Sequence, residues 1–460
     1  MAKLAAYDAI VVGSGPNGLA AAILFAQSGL ATLLIEARDQ VGGGTRTAEL
    51  TLPGYRHDVC SAIHPMAAVS PFFRSLPLGV DWIESPLAVA HPFDDGTAAV
   101  LERSVDATAA ALGPDADAYR SVFAPLTRDP QRLLAAMLGP LRWPSDPVGL
   151  ARFGLMALRS AGGFADAHFR GSLARGLFAG CAAHSILSFD RKTSAAIALA
   201  LMLVGHAAGW PFPRGGSAAI AEALAAHFRR LGGEIETDHP VRSLAELPQA
   251  RAILFDLTPR QLLAICGDRL SSDYRRSLEE YRYGPGVFKV DWALDGPIPW
   301  KAADCARAAT VHVGGTFEAV AEGEAAVWRG THPEKPFVLV AQQSLFDASR
   351  APDGKHTGWA YCHVPPGSTL DMTDAIESQI ERFAPGFRER ILARSRMGPA
   401  AFQAYNENYV GGDIAGGVTD LGQLFTRPTA RLVPYATSAR DLYIGSSSTP
   451  PGGGVHGMCG

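Results

Sequence analysis

Charge is scarce in this chain, and neither sign is concentrated anywhere along it. Charged residues make up 19% of its 460 positions, and the formal net charge is −4. Basic residues are scattered, with no aromatics interleaved among them. Nothing here would follow a phosphate backbone, so nucleic acid is excluded as a partner. Close cysteine pairs are also missing. Cys60, Cys181, Cys266, Cys305, Cys362 and Cys459 lie far apart. That excludes a dithiol redox centre and leaves no basis for structural zinc. No two histidines have metal-ligand spacing, so no metal is expected. Scattered, buried thiols suit a reducing cytoplasm. The start of the chain has no charged n-region with a cleavage site, because its apolar run already serves a strand and a helix. One uncharged run, Ala195 to Phe212, approaches the length of a membrane span. It contains Gly205, His206 and Gly209 and ends in Pro211-Phe212. The reading preferred is a helix buried against a cavity. Arg152, Arg159, Arg170 and Arg175 alternate with Phe153, Leu155, Met156, Leu158, Phe169 and Leu173. A solvated helix face explains that pattern, with peripheral contact with a membrane as the alternative.

What is present is concentrated at the N-terminus. Tyr7 to Thr47 reads YDAIVVGSGPNGLAAAILFAQSGLATLLIEARDQVGGGTRT. An apolar strand, Ala9 to Val12, runs into Gly13-x-Gly15-x-x-Gly18. A helix follows, and a second apolar strand ends at Glu36. This spacing predicts a nucleotide-binding βαβ unit. Gly13 permits the tight turn, Gly15 lets the backbone approach a pyrophosphate, and Gly18 lets the helix pack on the strand. Pro16 has the φ of a first helical turn, and Asn17 follows it. The free N–H groups there favour an anion by about 0.3–1 kcal/mol. Glu36 falls where a carboxylate accepts from both ribose hydroxyls and repels a 2′-phosphate, which argues against NADP.

Glu36-Ala37-Arg38-Asp39, followed by Gly42-Gly43-Gly44-Thr45, resembles the second half of the FAD fingerprint of the flavin amine oxidase superfamily. A long dinucleotide needs this second Gly-rich backbone segment beside its pyrophosphate and ribityl chain. Arg38 can add a charge-assisted bond. Near the other end, the strand Leu442-Tyr443-Ile444 leads into Gly445-Ser446-Ser447-Ser448 and then Pro451-Gly452-Gly453-Gly454-Val455-His456. The resemblance implies that this segment closes over the cofactor and points N–H groups at the flavin O2. Many relatives have an Asp where serines stand here. The chain stops at Gly460, where this motif leads one to expect a helix to begin. The order GSGPNGL, EARD, PRGGS, GPGVFKVDWAL and PGGGVHG resembles the phytoene desaturase-like branch of the superfamily. That branch includes desaturases, isomerases, saturases and ring dehydrogenases.

The expected fold class is α/β: a discontinuous Rossmann-like FAD-binding domain with an α+β substrate-binding domain. The FAD-binding domain takes residues 1–75, 211–274 and 426–460. A helix-rich cap region covers 76–210, and a sheet-based substrate domain with one helix covers 275–425. The middle FAD stretch holds Pro213-Arg214-Gly215-Gly216-Ser217, a helix to Leu231, and Pro240-Val241-Arg242. The resemblance implies a backbone contact from Val241 to the adenine. Val287 to Leu294, Val338 to Gln342 and Gly358 to Val364 read as strands.

Three residues stand out for chemistry. Lys289 lies mid-strand in VFKVDWAL, sharing a face with Val287 and Asp291. A buried lysine needs a partner. The resemblance implies a lysine holding a water against flavin N5, while Asp291 offers a purely structural pairing. His64, after His57-Asp58-Val59-Cys60, is either a general base with a pKa near neutrality or a structural histidine. Asp413 sits in the Gly-rich loop Asn406–Gly417 as an acid or base, or as the cap of a turn. His363 and His456 are weaker candidates.

The leading expectation is an FAD-dependent oxidoreductase that moves hydride from a C–H of a largely apolar small molecule to flavin N5. No second strand-coupled G-x-G-x-x-G follows, so reoxidation is expected to use O2, a quinone or another carrier. The alternatives are a flavin amine or amino-acid oxidase, although the closing segment has no aromatic residue, and a non-catalytic FAD-binding protein.

Overall fold

A computed structural model describes residues 6–140 and 143–460, so the first five positions of the first expected stretch lie outside it. Two sheets organise the chain. The first has five parallel strands, in the spatial order Leu442–Ile444, Ala250–Phe255, Tyr7–Val12, Thr32–Ile35 and Glu234–Glu236. Parallel strands covered on both faces need continuous apolar runs, and AIVV, TLLI and AILF supply them. Val12 pairs with both Ile35 and Phe255, and Phe255 pairs with Ile444. The next residue of each strand, Gly13, Glu36, Asp256 and Gly445, therefore falls on one line at the carboxyl edge. Ligands of open α/β sheets bind at that edge.

Helix Pro16–Gln27 leaves the first strand with a Pro at its start. Its buried side chains, among them Leu19, Ala20 and Ile23, pack against Ile220, Leu224 and Phe228 of helix Ala218–Arg230.

The second sheet has seven strands, ordered Ile391–Met397, Gly286–Leu294, His356–Val364, Val338–Ala341, Ala308–Val313, Leu87–Pro92 and Ala98–Leu101. Alternation sorts its two faces. Phe288, Val290 and Trp292 join Val338, Val340 and Ala360 over helix Thr373–Phe383. Val287, Leu339, Trp359 and Tyr361 face the other way, toward the helices formed between residues 116 and 208.

Two expectations change. The 76–210 stretch is not only helical, because Leu87–Pro92 and Ala98–Leu101 complete the second sheet. LAVAHP is a short apolar run closed by the turn Asp94-Asp95-Gly96, and six buried residues in a row fit a covered strand. Residues 275–425 hold three α-helices after their first strand rather than one: Phe317–Trp328, Thr373–Phe383 and Pro399–Tyr405. The uncharged run forms helix Ser194–Ala208, and among the described residues no helix is long and apolar enough to cross a membrane.

Candidate functional site

One cavity of about 690 Å³ runs from the carboxyl edge of the parallel sheet to the inward face of the mixed sheet. Its first half is a cradle of glycines. Gly13 has φ +101°, which closes the turn after the first strand. A Cβ on Gly18 would lie 2.0 Å from the Gly13 carbonyl oxygen, so the helix can approach the strand only as glycine. A Cβ on Gly15 would lie 2.6 Å from Asp256 Oδ2, and one on Gly43 would lie 3.0 Å from the Gly15 Cα. The two Gly-rich segments thus touch each other and leave a channel beside them.

Pro16, Asn17, Glu36, Ala37, Arg38, Gly44 and Thr45 line that channel. Glu36 is buried at the end of its strand. Its Oε2 accepts from the Ser14 amide and hydroxyl, and its Oε1 accepts from the Arg38 amide at 3.0 Å. Arg46 also reaches Glu36 Oε1, at 3.0 Å. The sequence reading missed Arg46, which is the buried guanidinium beside Glu36. The Arg38 side chain instead extends to the Ala404 carbonyl. Val241 is buried on the channel wall, and neither its N–H nor its carbonyl has a protein partner among the described residues.

Asp256 was also missed. Its Oδ2 accepts from the Gly18 amide at 2.9 Å, at the start of the first helix. Burial holds its carboxyl well above the usual carboxylate range, and Glu36 nearby adds to that. Raised in this way, the carboxyl sets less negative charge against a pyrophosphate.

The closing segment supplies Ser446, Gly454 and Val455 to the cavity. The amides of Gly43, Gly44, Gly454 and Val455 have no protein partner among the described residues. This row of unpaired donors fits a long dinucleotide with anionic and carbonyl oxygens. Gly445 stands one step back from the wall, its amide donating to the Phe255 carbonyl. His456 turns away from the cavity. Its ring lies between the Gly452 carbonyl at 3.2 Å and the Met458 amide at 3.0 Å, so it holds the loop.

The second half of the cavity is largely apolar. Met66, Ile197, Ala200, Leu201, Val287 and Leu339 line it. Lys289 and His64 stand on its wall, and Asp413 does not. All three backbone bonds to Asp413, from Gly284, Ala415 and Gly417, fall between 2.7 and 2.9 Å. Of the two expected roles this geometry fits the turn cap: the carboxylate ties the Gly-rich loop to Gly284, just before strand Gly286–Leu294. His363 is likewise off the wall, with Nδ1 2.9 Å from Glu324.

Lys289 is 1% exposed and paired with Asp291. Burial raises the Asp291 carboxyl to about 6 against the pull of Lys289. His57 Nδ1 lies 3.6 Å from the other Asp291 oxygen. Burial, reinforced by the Lys289 charge, lowers His57 to about 3, so its ring is neutral.

His64 Nε2 lies 2.9 Å from Ser217 Oγ, and that hydroxyl donates to the Ser61 carbonyl at 2.6 Å. The Ser217 proton is thus committed, so His64 Nε2 carries the donated proton and Nδ1 is bare. Burial lowers His64 to about 4. It is a neutral wall residue at pH 7, not a base poised near neutrality.

Residues 11–76 match the NAD(P)-binding Rossmann-like domain family. Over 99% of its length the chain is 22% identical to a mouse protein, pyridine nucleotide-disulfide oxidoreductase domain-containing protein 2, covering 92% of it. It is 23% identical to a lycopene-forming phytoene desaturase of a Paracoccus species, covering 99% of this chain and 96% of that protein. The structure of putrescine oxidase bound to putrescine superposes with a TM-score of 0.63 at 16% identity, covering 98% of this chain and 96% of that one. The chain has the fold of the amine oxidase-type flavoenzymes. The fold implied by the motif resemblance therefore holds.

Proposed function

We propose that this protein is an FAD-dependent oxidoreductase that dehydrogenates a largely apolar small molecule. One observation carries the reading: the glycine cradle and the apolar chamber are two ends of a single cavity, with Lys289 on its wall. Gly13 to Asn17, Glu36, Gly43 to Thr45, Val241 and Ser446 would hold the dinucleotide, and the amides of Gly454 and Val455 would face its far end. When bound, FAD supplies the hydride acceptor. The chain orients the substrate on the Val287 and Leu339 face and keeps water out with the helix Ser194–Ala208. The Lys289–Asp291 pair offers a proton site, since Asp291 titrates at about 6. Electrons would leave to O2, a quinone or another carrier.

A second reading, an amine or amino-acid oxidase, is favoured by the Trp359–Tyr361 pair. The two rings are perpendicular, with centroids 5.4 Å apart, on the chamber wall. An ammonium could lie over an open face of one of these rings.

The test is anaerobic. The purified protein is expected to be yellow, and an alkene or cyclic ketone should bleach its flavin band. Bleaching by amines alone, with H2O2 released in air, would replace dehydrogenation with amine oxidation. A flavin that dithionite cannot reduce reversibly would leave a non-catalytic flavoprotein.

A further inference from the structure

Hydrogen-bonding groups without partners gather at the end of the chamber away from Lys289. The register of the mixed sheet lays out one row across its inward face: Lys289 opposite Tyr361, Tyr361 opposite Leu339, Leu339 opposite His312. Three strand spacings separate Lys289 from His312, about 14 Å at the usual interstrand distance. Thr310 is two residues before His312, on the same face. It lines the cavity, and its hydroxyl has no hydrogen-bond partner.

His184 completes the cluster. It ends helix Ser172–Ala183 and lines the cavity, and its Nε2 lies 2.9 Å from His312 Nε2. One proton lies on that axis. His312 Nδ1 is buried without a partner, and a Cβ on Gly180 would come within 2.5 Å of it. A neutral His312 that accepted from His184 would have to carry an N–H at this sealed position. Buried N–H groups left unpaired are rarer than bare acceptors. His312 is therefore the donor and His184 Nε2 the acceptor. A neutral His184 then carries its own proton on Nδ1, the ring nitrogen left for the chamber. Burial, with His363 adding to it, lowers His184 to about 3; burial, with His184 and His91 adding to it, holds His312 well below its ordinary value. Both rings are neutral.

We propose that His184 Nδ1–H and the Thr310 hydroxyl form a distal subsite for an uncharged oxygen, a carbonyl or an alcohol, on an otherwise apolar substrate. The inference rests on the reading of the chamber as a substrate site and narrows its substrate class. A carboxylate finds no cation at this end. An ammonium finds no carboxylate, since the acids on the cavity wall, Glu36, Asp256 and Glu407, all lie along the dinucleotide stretch. A pure hydrocarbon would leave the donors unpaired, at a cost of about 1–3 kcal/mol for each buried group.

The test uses the FAD-loaded protein and tryptophan fluorescence, because Trp210 and Trp359 line the chamber. The probes are decan-1-ol, 2-decanone, decylamine and n-decane. The alcohol and the ketone are expected to bind about tenfold more tightly than decane, the worth of one neutral hydrogen bond. His184→Leu should remove that preference without weakening decane binding, while His184→Gln, whose amide can donate, should keep part of it. Flavin absorbance and melting temperature report whether each variant is folded. Equal binding of alcohol, ketone and decane by the wild-type protein, or a preference that survives His184→Leu, would overturn the subsite and leave the dehydrogenase reading standing. Tightest binding of decylamine would overturn it in favour of the amine reading. Failure of all four probes would remove the apolar chamber, and both readings with it.

Discussion

Individual side chains divide into those whose role is local and those whose role depends on distant partners. Gly18 is local. Its missing Cβ is what lets the first helix approach within contact of the Gly13 carbonyl. Gly18→Ala should lower stability by about 2 kcal/mol or more and release the dinucleotide, seen as a colourless protein with a reduced melting temperature. Lys289 depends on its partner. Lys289→Met leaves Asp291 buried without a counter-ion, which costs about 3–5 kcal/mol. The double variant Lys289→Met/Asp291→Leu should recover most of that loss in a thermal melt. If turnover also recovers, the lysine has only a structural role; turnover that stays slow in the recovered fold keeps it in the chemistry. The same division sets what could be read in advance. Gly13, Gly15, Gly18 and Glu36 lie within 24 residues of one another, so spacing alone placed them. Asp256 reaches Gly18 from 238 positions away. Its only local sign is an acid directly after an apolar strand. His184 and His312 are 128 positions apart, and nothing near either announces the other.

Elements were legible where their periodicity was strong. GVFKVDWAL alternates cleanly between the two faces of the mixed sheet, and the inward lysine follows from that alternation alone. Strands Leu87–Pro92 and Ala98–Leu101 were hidden among helices because each is short and nearly all apolar, so period two and period 3.6 cannot be told apart. Helix Ser194–Ala208 shows the same ambiguity from the other side. It is apolar nearly all round because the core and the cavity cover it. Ala196, Ile197, Ala200 and Leu201 face the cavity. Small residues there leave room for a ligand. Ala200→Phe should fill that space, weakening decan-1-ol binding by about tenfold or more, since burying a side chain of that size is worth about 1.5–3 kcal/mol. The flavin band should remain, because the cradle is built from other elements. Loss of flavin from Ala200→Phe would show instead that the two halves of the cavity are not independent.

At the scale of the whole molecule, the parallel sheet collects strands from residues 7–35, 234–255 and 442–444, and the mixed sheet is built from the chain between them. Burial on this scale takes in many histidines. His57 and His184 are lowered to about 3, and His64, His91, His206 and His456 to about 4, in each case first by burial. In the unfolded chain each titrates near 6.5. Between that value and the folded one, the unfolded state binds more protons than the native state, so stability falls as pH falls. Each tenfold difference in proton affinity between the two states is worth about 1.4 kcal/mol, and a domain's whole margin is roughly 5–15 kcal/mol. Two such histidines taken down to pH 4 therefore consume much of it. Asp256, Asp291 and Asp413 act in the opposite sense. Burial raises them, so the native state holds their protons longer and acid favours it. Burial also lowers His227, His312 and His356, so three carboxyls are set against nine histidines and the histidines dominate. The melting temperature should be level above about pH 7 and drop steadily from pH 6.5 toward pH 4, with no metal or ligand added. A calorimetric series that stays flat down to pH 5 would mean that these imidazoles are reached by water or paired with acids, and the neutral rings assigned to His64 and His184 would fall with it.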